Sequence, residues 1–186
     1  SAQNPLVKQI LLLKDKSRER KKTGHFVVEG QKELELALSG GYVPKQCLFC
    51  PEVNPSLNIA SFHFPSGVEV VQITQPVYEK LAYRGTTEGV LCIMESKQHG
   101  LDSIQFKTDT PLVLVAEAPE KPGNIGALLR TADAAAVDAV LIANPKSDLY
   151  NPNIVRSSVG CVFTNQIGMG TTEEIIQFLK SNQIKI

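Results

Sequence analysis

The sequence predicts an α/β protein in two parts, a small α/β sandwich over residues 1–95 and a parallel-sheet domain over residues 110–186, joined by a linker over 96–109. Three observations carry this prediction. Strand-like and helix-like patterns alternate through the first part; the run ESKQHGLDSIQFKTD from Glu95 to Asp109 turns polar; and from Leu112 an apolar strand, a Pro/Gly turn, a helix and a second apolar strand follow one another. At 186 residues the chain is long enough to bury a core in each part.

The elements follow in order. Asn4 and Pro5 read as a helix cap and first residue, and Leu6, Ile10, Leu11 and Leu13 continue an amphipathic helix into a basic segment. HFVVE, His25 to Glu29, reads as a strand. Gly30 turns the chain into a helix over Gln31 to Leu38, with Leu34, Ala37 and Leu38 on one face and Gly40 and Gly41 as its stop. Gln46 to Cys50 is a second strand. Pro51 to Pro65 is a loop with one helical turn near Leu57, after which Val68 to Ile73 is a strand, Pro76 to Leu81 a helix beginning near Thr74, and Gly89 to Met94 a strand. The linker holds a short strand at Ile104 to Phe106.

In the second part, Leu112 to Val115 contains no polar residue and is expected to be buried on both faces of a parallel sheet. A helix from about Asn124 to Ala136 leads to the strand Ala139 to Ala143. Pro152 to Ser158 forms a helical turn, Cys161 to Phe163 reads as a strand, and Thr172 caps a last helix to Lys180 with Ile175, Ile176 and Leu179 inward. Gln183 to Ile186 opens a further strand, which would leave the sheet unfinished. The expectation is a fragment, or a core completed by association.

Charge is unevenly spread. Residues 1 to 30 hold seven Lys or Arg against three Asp or Glu, and the remainder twelve against sixteen, so the net charge of zero divides into +4 and −4. Six of the nine residues from Lys14 to Lys22 are basic, a patch that attracts a phosphate backbone or simply a solvated helix end. No apolar run approaches the roughly 20 residues of a membrane-spanning helix, and the first residues lack a leader's pattern, so a cytoplasmic protein is expected. The four cysteines fit a reducing compartment. Cys47-x-x-Cys50 has no second pair, and residues three apart on a strand face opposite ways. His25, His63 and His99 lack ligand spacing, so no metal site is expected.

The turn from Ala118 to Asn124 follows the carboxyl end of a parallel strand, where open α/β sheets place ligands. Gly123 and Gly126 fall one glycine short of a dinucleotide fingerprint, and no phosphate-loop GK[ST] or G-x-S-x-G occurs. What remains is a helix N-terminus with Asn124 as expected cap. Arg130 leans back over Gly126 and Ala127 toward a phosphate or hydroxyl, or else pairs with Asp133. Arg156, Ser157 and Ser158 could bind phosphate or ribose, or serve loop and capping roles.

The run Pro122-Gly123-Asn124-Ile125-Gly126-Ala127-Leu128-Leu129-Arg130-Thr131-Ala132 resembles the first motif of the SpoU (TrmH) family of RNA ribose 2'-O-methyltransferases, in the SPOUT superfamily. Asn151-Pro152 through Arg156-Ser157-Ser158-Val159-Gly160 resembles the segment after that family's second strand. Phe26-Val27-Val28-Glu29-Gly30 and Thr87-Glu88-Gly89-Val90 are similar to the substrate-binding domain that precedes the catalytic domain in many members, whose fold is like ribosomal protein L30e. The resemblance implies an L30e-like α/β sandwich followed by a Rossmann-like SPOUT domain truncated before its C-terminal trefoil knot. It further implies S-adenosylmethionine as methyl donor, a ribose of ribosomal or transfer RNA as acceptor, and a homodimer. Arg130 and Asn124 would be the catalytic pair, and Lys16, Arg18, Arg20, Lys21, Lys22, Glu29, Arg156, Ser157 and Ser158 the RNA-facing set. Donor-binding residues would come after Ile186. The alternative reading is a non-enzymatic L30e-like RNA-binding module.

Overall fold

The computed structural model describes residues 4–83 and 88–186, so Thr87 of the second resemblance segment lies outside the described residues. The chain divides into two compact units, Ser1–Ser96 with Tyr150–Pro152, and Lys97–Leu149 with Asn153–Ile186.

In the first unit, Asn4 accepts from the Leu6 amide at 2.8 Å and starts α1 (Pro5–Asp15), which buries Val7, Ile10 and Leu13. A second helix, α2 (Ser17–Thr23), ends at the left-handed Gly24. Then come β1 (His25–Glu29), α3 (Gln31–Ser39), β2 (Pro44–Phe49), a short 3-10 turn at Ile59–Phe62, β3 (Glu69–Gln72), α4 (Gln75–Leu81) and β4 (Val90–Glu95). The sheet runs β1-β4-β2-β3, with β4 antiparallel to both neighbours and β2 parallel to β3. On one face, Ile10 and Leu13 of α1 and Tyr78 and Leu81 of α4 pack with Val27, Leu48, Leu91 and Ile93. Each such fully buried aliphatic side chain is worth about 1.5–3 kcal/mol relative to exposure. Cys50 joins this cluster, whereas Cys47 lies opposite Cys92 in the β2–β4 pairing. A hydrogen bond with Cys47, followed by burial, holds the Cys92 thiol far above its ordinary pKa.

The second unit is a parallel sheet in the order β5-β6-β7, formed by β5 (Val113–Glu117), β6 (Ala139–Ala143) and β7 (Ile167–Gly170). Between them run α5 (Pro122–Ala134), α6 (Pro152–Ser157) and α7 (Cys161–Thr164), and α8 (Thr172–Ser181) follows β7. Among the described residues no helix is long and apolar enough to cross a membrane.

Five expectations are corrected in this unit. The strand expected to be buried on both faces is β6, all five residues of which are buried. In contrast, β5 lies at the sheet edge with Val115 43% and the preceding Leu112 57% exposed. Cys161–Phe163 is helical because left-handed Val159 and Gly160 redirect the chain just before it. The strand is instead IGMG, whose glycines hide it from propensity rules. Gly168 is needed there, since a Cβ would come within 3.0–3.1 Å of Leu141, Ile104 and Leu101.

Ile104–Phe106 is not a strand, and the polar stretch is not a free linker. A 3-10 turn at Leu101–Ser103 brings Ile104 into the core cluster with Leu141, Ile175 and Leu179, while His99 O accepts from the Met169 amide at 2.7 Å. Finally, Gln183–Ile186 forms no strand. Gln183 is left-handed and the Ile184 amide returns to Leu179 O at 2.9 Å, a helix-ending turn that packs Ile184 on the same core.

Candidate active site

At the carboxyl edge of the parallel sheet, β5 hands the chain through residues 118–121 to α5. That helix begins three residues earlier than Asn124 as cap would require. Lys121 is the cap, without a side-chain hydrogen bond, and its carbonyl accepts from the Asn124 and Ile125 amides at 3.0 and 3.1 Å. Asn124 therefore sits at the third helical position, and its side chain is exposed toward the positive end of the helix dipole. No side-chain partner engages it among the described residues.

Arg130 lies on the exposed side of α5, and no hydrogen bond or ion pair holds its guanidinium among the described residues. The alternative pairing with Asp133 does not form; Asp133 accepts from Thr164 Oγ1. One turn before Arg130, Gly126 is buried against the end of α6, and a Cβ there would lie 2.0 Å from Ser157 Oγ and 2.7 Å from the Ser158 amide. Only glycine permits that approach. The same stripe of α5 is tied further along, where Asn165 Nδ2 donates to Leu129 O at 3.0 Å. Small residues thus seat α5 on α6 and α7, and Arg130 is left outward.

The remaining RNA-facing candidates divide. Lys16, Arg18, Lys21 and Lys22 are exposed on or beside α2. Arg20 is not: it is 5% exposed, and its guanidinium donates to Leu13 O at 2.6 Å and Lys14 O at 3.1 Å, satisfying carbonyls at the end of α1. Glu29 also turns inward, paired with Lys14 Nζ at 3.2 Å and accepting from the Tyr83 amide at 2.8 and 3.0 Å. Lys14 in turn donates to Leu81 O. Ser158 is fully buried, donating to Val155 O at 2.9 Å and accepting from the Val162 amide at 3.3 Å. Ser157 is half-buried beside Pro122 O, and Arg156 is exposed next to Asn153. Burial of Arg20 and Ser158, and the inward ties of the half-buried Glu29, set them apart from the exposed cations.

Residues 4–92 match the MRM3-like substrate binding domain, and residues 111–186 match the SpoU rRNA Methylase family. A crystal structure of an RNA 2'-O ribose methyltransferase is 31% identical with a TM-score of 0.77, covering 98% of this chain and 69% of that one. The chain belongs to the SpoU rRNA methylase family. The AdoMet-bound rRNA methyltransferase from Sinorhizobium meliloti is similar to this SpoU chain at 27% identity and TM-score 0.83, covering 98% of it and 67% of that chain. The 23S rRNA (guanosine(2553)-2'-O)-methyltransferase RlmP of Bacillus subtilis is 26% identical over 186 residues, 100% of this chain and 70% of that protein.

The family is one of S-adenosylmethionine-dependent RNA methyltransferases, and RNA is its partner. The non-enzymatic alternative finds no support among these relatives. Three residues at the sheet's carboxyl edge, Glu117, Asn144 and Thr172, escaped the reading of the SpoU motif. Their spacing of 27 and 28 residues has no local signal, and only strand register brings them together.

Proposed function

We propose that this protein transfers a methyl group from S-adenosylmethionine to a ribose 2'-hydroxyl of ribosomal RNA. In this reading residues 1–95 grip the RNA, and residues 110–186 supply the ribose-facing front of the catalytic domain. The observation that carries the reading is Arg130, held outward by the glycine-dependent seating of α5 and without a partner among the described residues, one helical turn from Gly126 and two from Pro122.

S-adenosylmethionine supplies an electrophilic methyl on a sulfonium sulfur. Arg130 and Asn124 act on the acceptor. With a pKa above about 12, a guanidinium does not act as a base at neutral pH. Arg130 instead orients the 2'-hydroxyl by donating to its oxygen and stabilises negative charge on it as the O–CH3 bond forms, the S–CH3 bond breaks and the hydroxyl proton passes to water. The Asn124 amide, at the positive end of α5, lies beside the path of the neighbouring phosphate or ribose. In-line alignment of oxygen, methyl carbon and sulfur then dominates the rate.

Lys16, Arg18, Lys21 and Lys22 supply phosphate contacts that position the RNA without reading its sequence, and in the second unit Arg156 and Ser157 supply contacts of their own beside α5. The chain spans 69%, 67% and 70% of the lengths of the three relatives above, and the remaining part of such a protein is proposed to add donor contacts. A cytoplasmic homodimer is the assembled form.

Transfer of labelled methyl from S-adenosylmethionine to ribosomal RNA, with the 2'-O-methylnucleotide identified by nuclease digestion and mass spectrometry, tests the reading. The protein as encoded gives a 2'-O-methylated product. Base methylation, or no transfer, overturns the function.

A further inference from the structure

The carboxyl ends of the three parallel strands are tied to one another by side chains. Glu117, the last residue of β5, accepts on Oε1 from Asn144 Nδ2 at 2.9 Å and on Oε2 from Thr172 Oγ1 at 2.6 Å. Asn144, just after β6, also donates from Nδ2 to Thr172 Oγ1 at 2.8 Å, and Thr172 opens the helix after β7. Three polar protons serve three acceptors in a closed triangle, each proton used once. The arrangement requires an ionised Glu117, because a carboxyl proton would have no acceptor left. Accordingly, the hydrogen bond from Thr172 first, and that from Asn144 second, hold its pKa below the usual carboxylate range.

The triangle stands where the backbone is hardest to hold. Ala118 and Asn144, each the residue after its strand, are left-handed at φ 44° and 48°. Their amides extend the sheet by one rung, Ala118 to Ala143 O and Asn144 to Gly170 O, both at 2.8 Å. Beyond Ala118, Ser147 Oγ donates to Glu120 O, fixing the turn from the other side. One residue later Lys121 starts α5. No other segment separates the triangle from the helix that carries Asn124 and Arg130.

We propose that Glu117 is a positioning residue for methyl transfer: with Asn144 and Thr172 it fixes the turn that sets the N-terminus of α5, and through it the placement of Asn124 and Arg130 against the ribose. The proposal rests on the methyltransferase reading above. A carboxylate suits the position because it accepts at both oxygens. Glutamine, though isosteric, presents an N–H to one of two donors and breaks the triangle.

Two measurements test it. In amide NMR spectra of the 186-residue chain, Glu117→Gln and Thr172→Val shift a common set of resonances over Ala118–Gly126 and speed hydrogen exchange there about tenfold, while α3 and β4 are unchanged. Unmoved resonances in that window overturn the proposal whatever the activity. In the enzyme as encoded, Glu117→Gln lowers kcat roughly 10–100-fold at an unchanged KM for RNA, Glu117→Asp restores part of it, and Thr172→Val adds little on top of Glu117→Gln. An unchanged kcat, or a rise in KM alone, overturns it. If the unmutated enzyme transfers no methyl to RNA, the proposed function falls, while the spectra still decide whether the triangle sets the turn.

Discussion

Two arginines on two helices show opposite uses of the same side chain. Arg20 comes from the most basic run in the sequence, yet it points inward and satisfies Leu13 O and Lys14 O at the end of α1. Arg130 comes from a helix of small and apolar residues, yet it is left outward with no partner among the described residues. What separates them is what lies behind each helix. A kink between α1 and α2 at Lys16 exposes carbonyls that need donors, whereas α5 is pressed onto α6 by a glycine and already has its polar ties in Leu129 O and Asp133. A charge run therefore marks a surface only on average; the partnering of backbone groups decides for each residue.

The comparison can be broken most sharply at Arg130. Arg130→Ala lowers methyl transfer by about 10²–10³-fold, the effect of removing one donor to developing oxyanion charge. Thermal stability stays within about 0.5 kcal/mol, as for other unpaired surface positions. Arg130→Lys does not restore the rate, since an ammonium lacks the planar fork. Single-turnover kinetics with circular dichroism melting separates the two effects, and a loss of stability that matches the loss of rate would place Arg130 in the scaffold.

Next in size is the seat of α5. Gly126→Ala forces a methyl into Ser157 Oγ and the Ser158 amide, and it lowers stability by about 2–3 kcal/mol. Ser157→Gly on that background recovers part of the loss in a denaturant melt, because it vacates the atom met at 2.0 Å. No recovery would mean that the clash with the Ser158 backbone dominates.

The third contrast is within α2. Arg20→Ala costs about 1.5–3 kcal/mol through the orphaned carbonyls and leaves the salt dependence of RNA binding as it was. The double substitution Lys21→Gln, Lys22→Gln does the reverse: stability is nearly unchanged, and the slope of log affinity against log salt falls by roughly two. Fluorescence anisotropy over a salt series reads both. Equal slopes for the two variants would erase the distinction between inward and outward cations.

The smallest effect is at His99, from the polar stretch that reads as a linker. Burial lowers its pKa from the ordinary 6.5, more than the hydrogen bond with Ile167 O raises it, and Lys97 lowers it further. The unfolded chain thus binds more protons than the folded one as pH falls below about 6.5, so His99 contributes stability above that pH that is lost below it. The melting temperature declines between pH 7 and 5, and His99→Asn makes the decline shallower. An unchanged pH slope would show that other groups carry it.

Much of the first unit was legible because its signals are local: the Asn4-Pro5 cap, the HFVVE strand, and the Gly40 and Gly41 stop. In the second unit the same rules found β6 and α5, misread Cys161–Phe163 and missed Ile167–Gly170. There strand and helix identity depends on a left-handed pair at Val159–Gly160 and on side chains from Leu101 and Ile104 closing over Gly168. Propensity counts residues one at a time and cannot see either.

By itself, the sequence determined the alternation of elements, the family motif from Pro122 to Ala132, and with it the residue types available for chemistry. The tertiary structure decided which of them face outward. It turned Arg20, Glu29 and Ser158 inward to satisfy polar groups, left Arg130 free, and brought Glu117, Asn144 and Thr172 together across three strand ends. The reason is physical: hydrogen-bond satisfaction and close packing are pairwise properties of distant residues, and strand register sets those pairs.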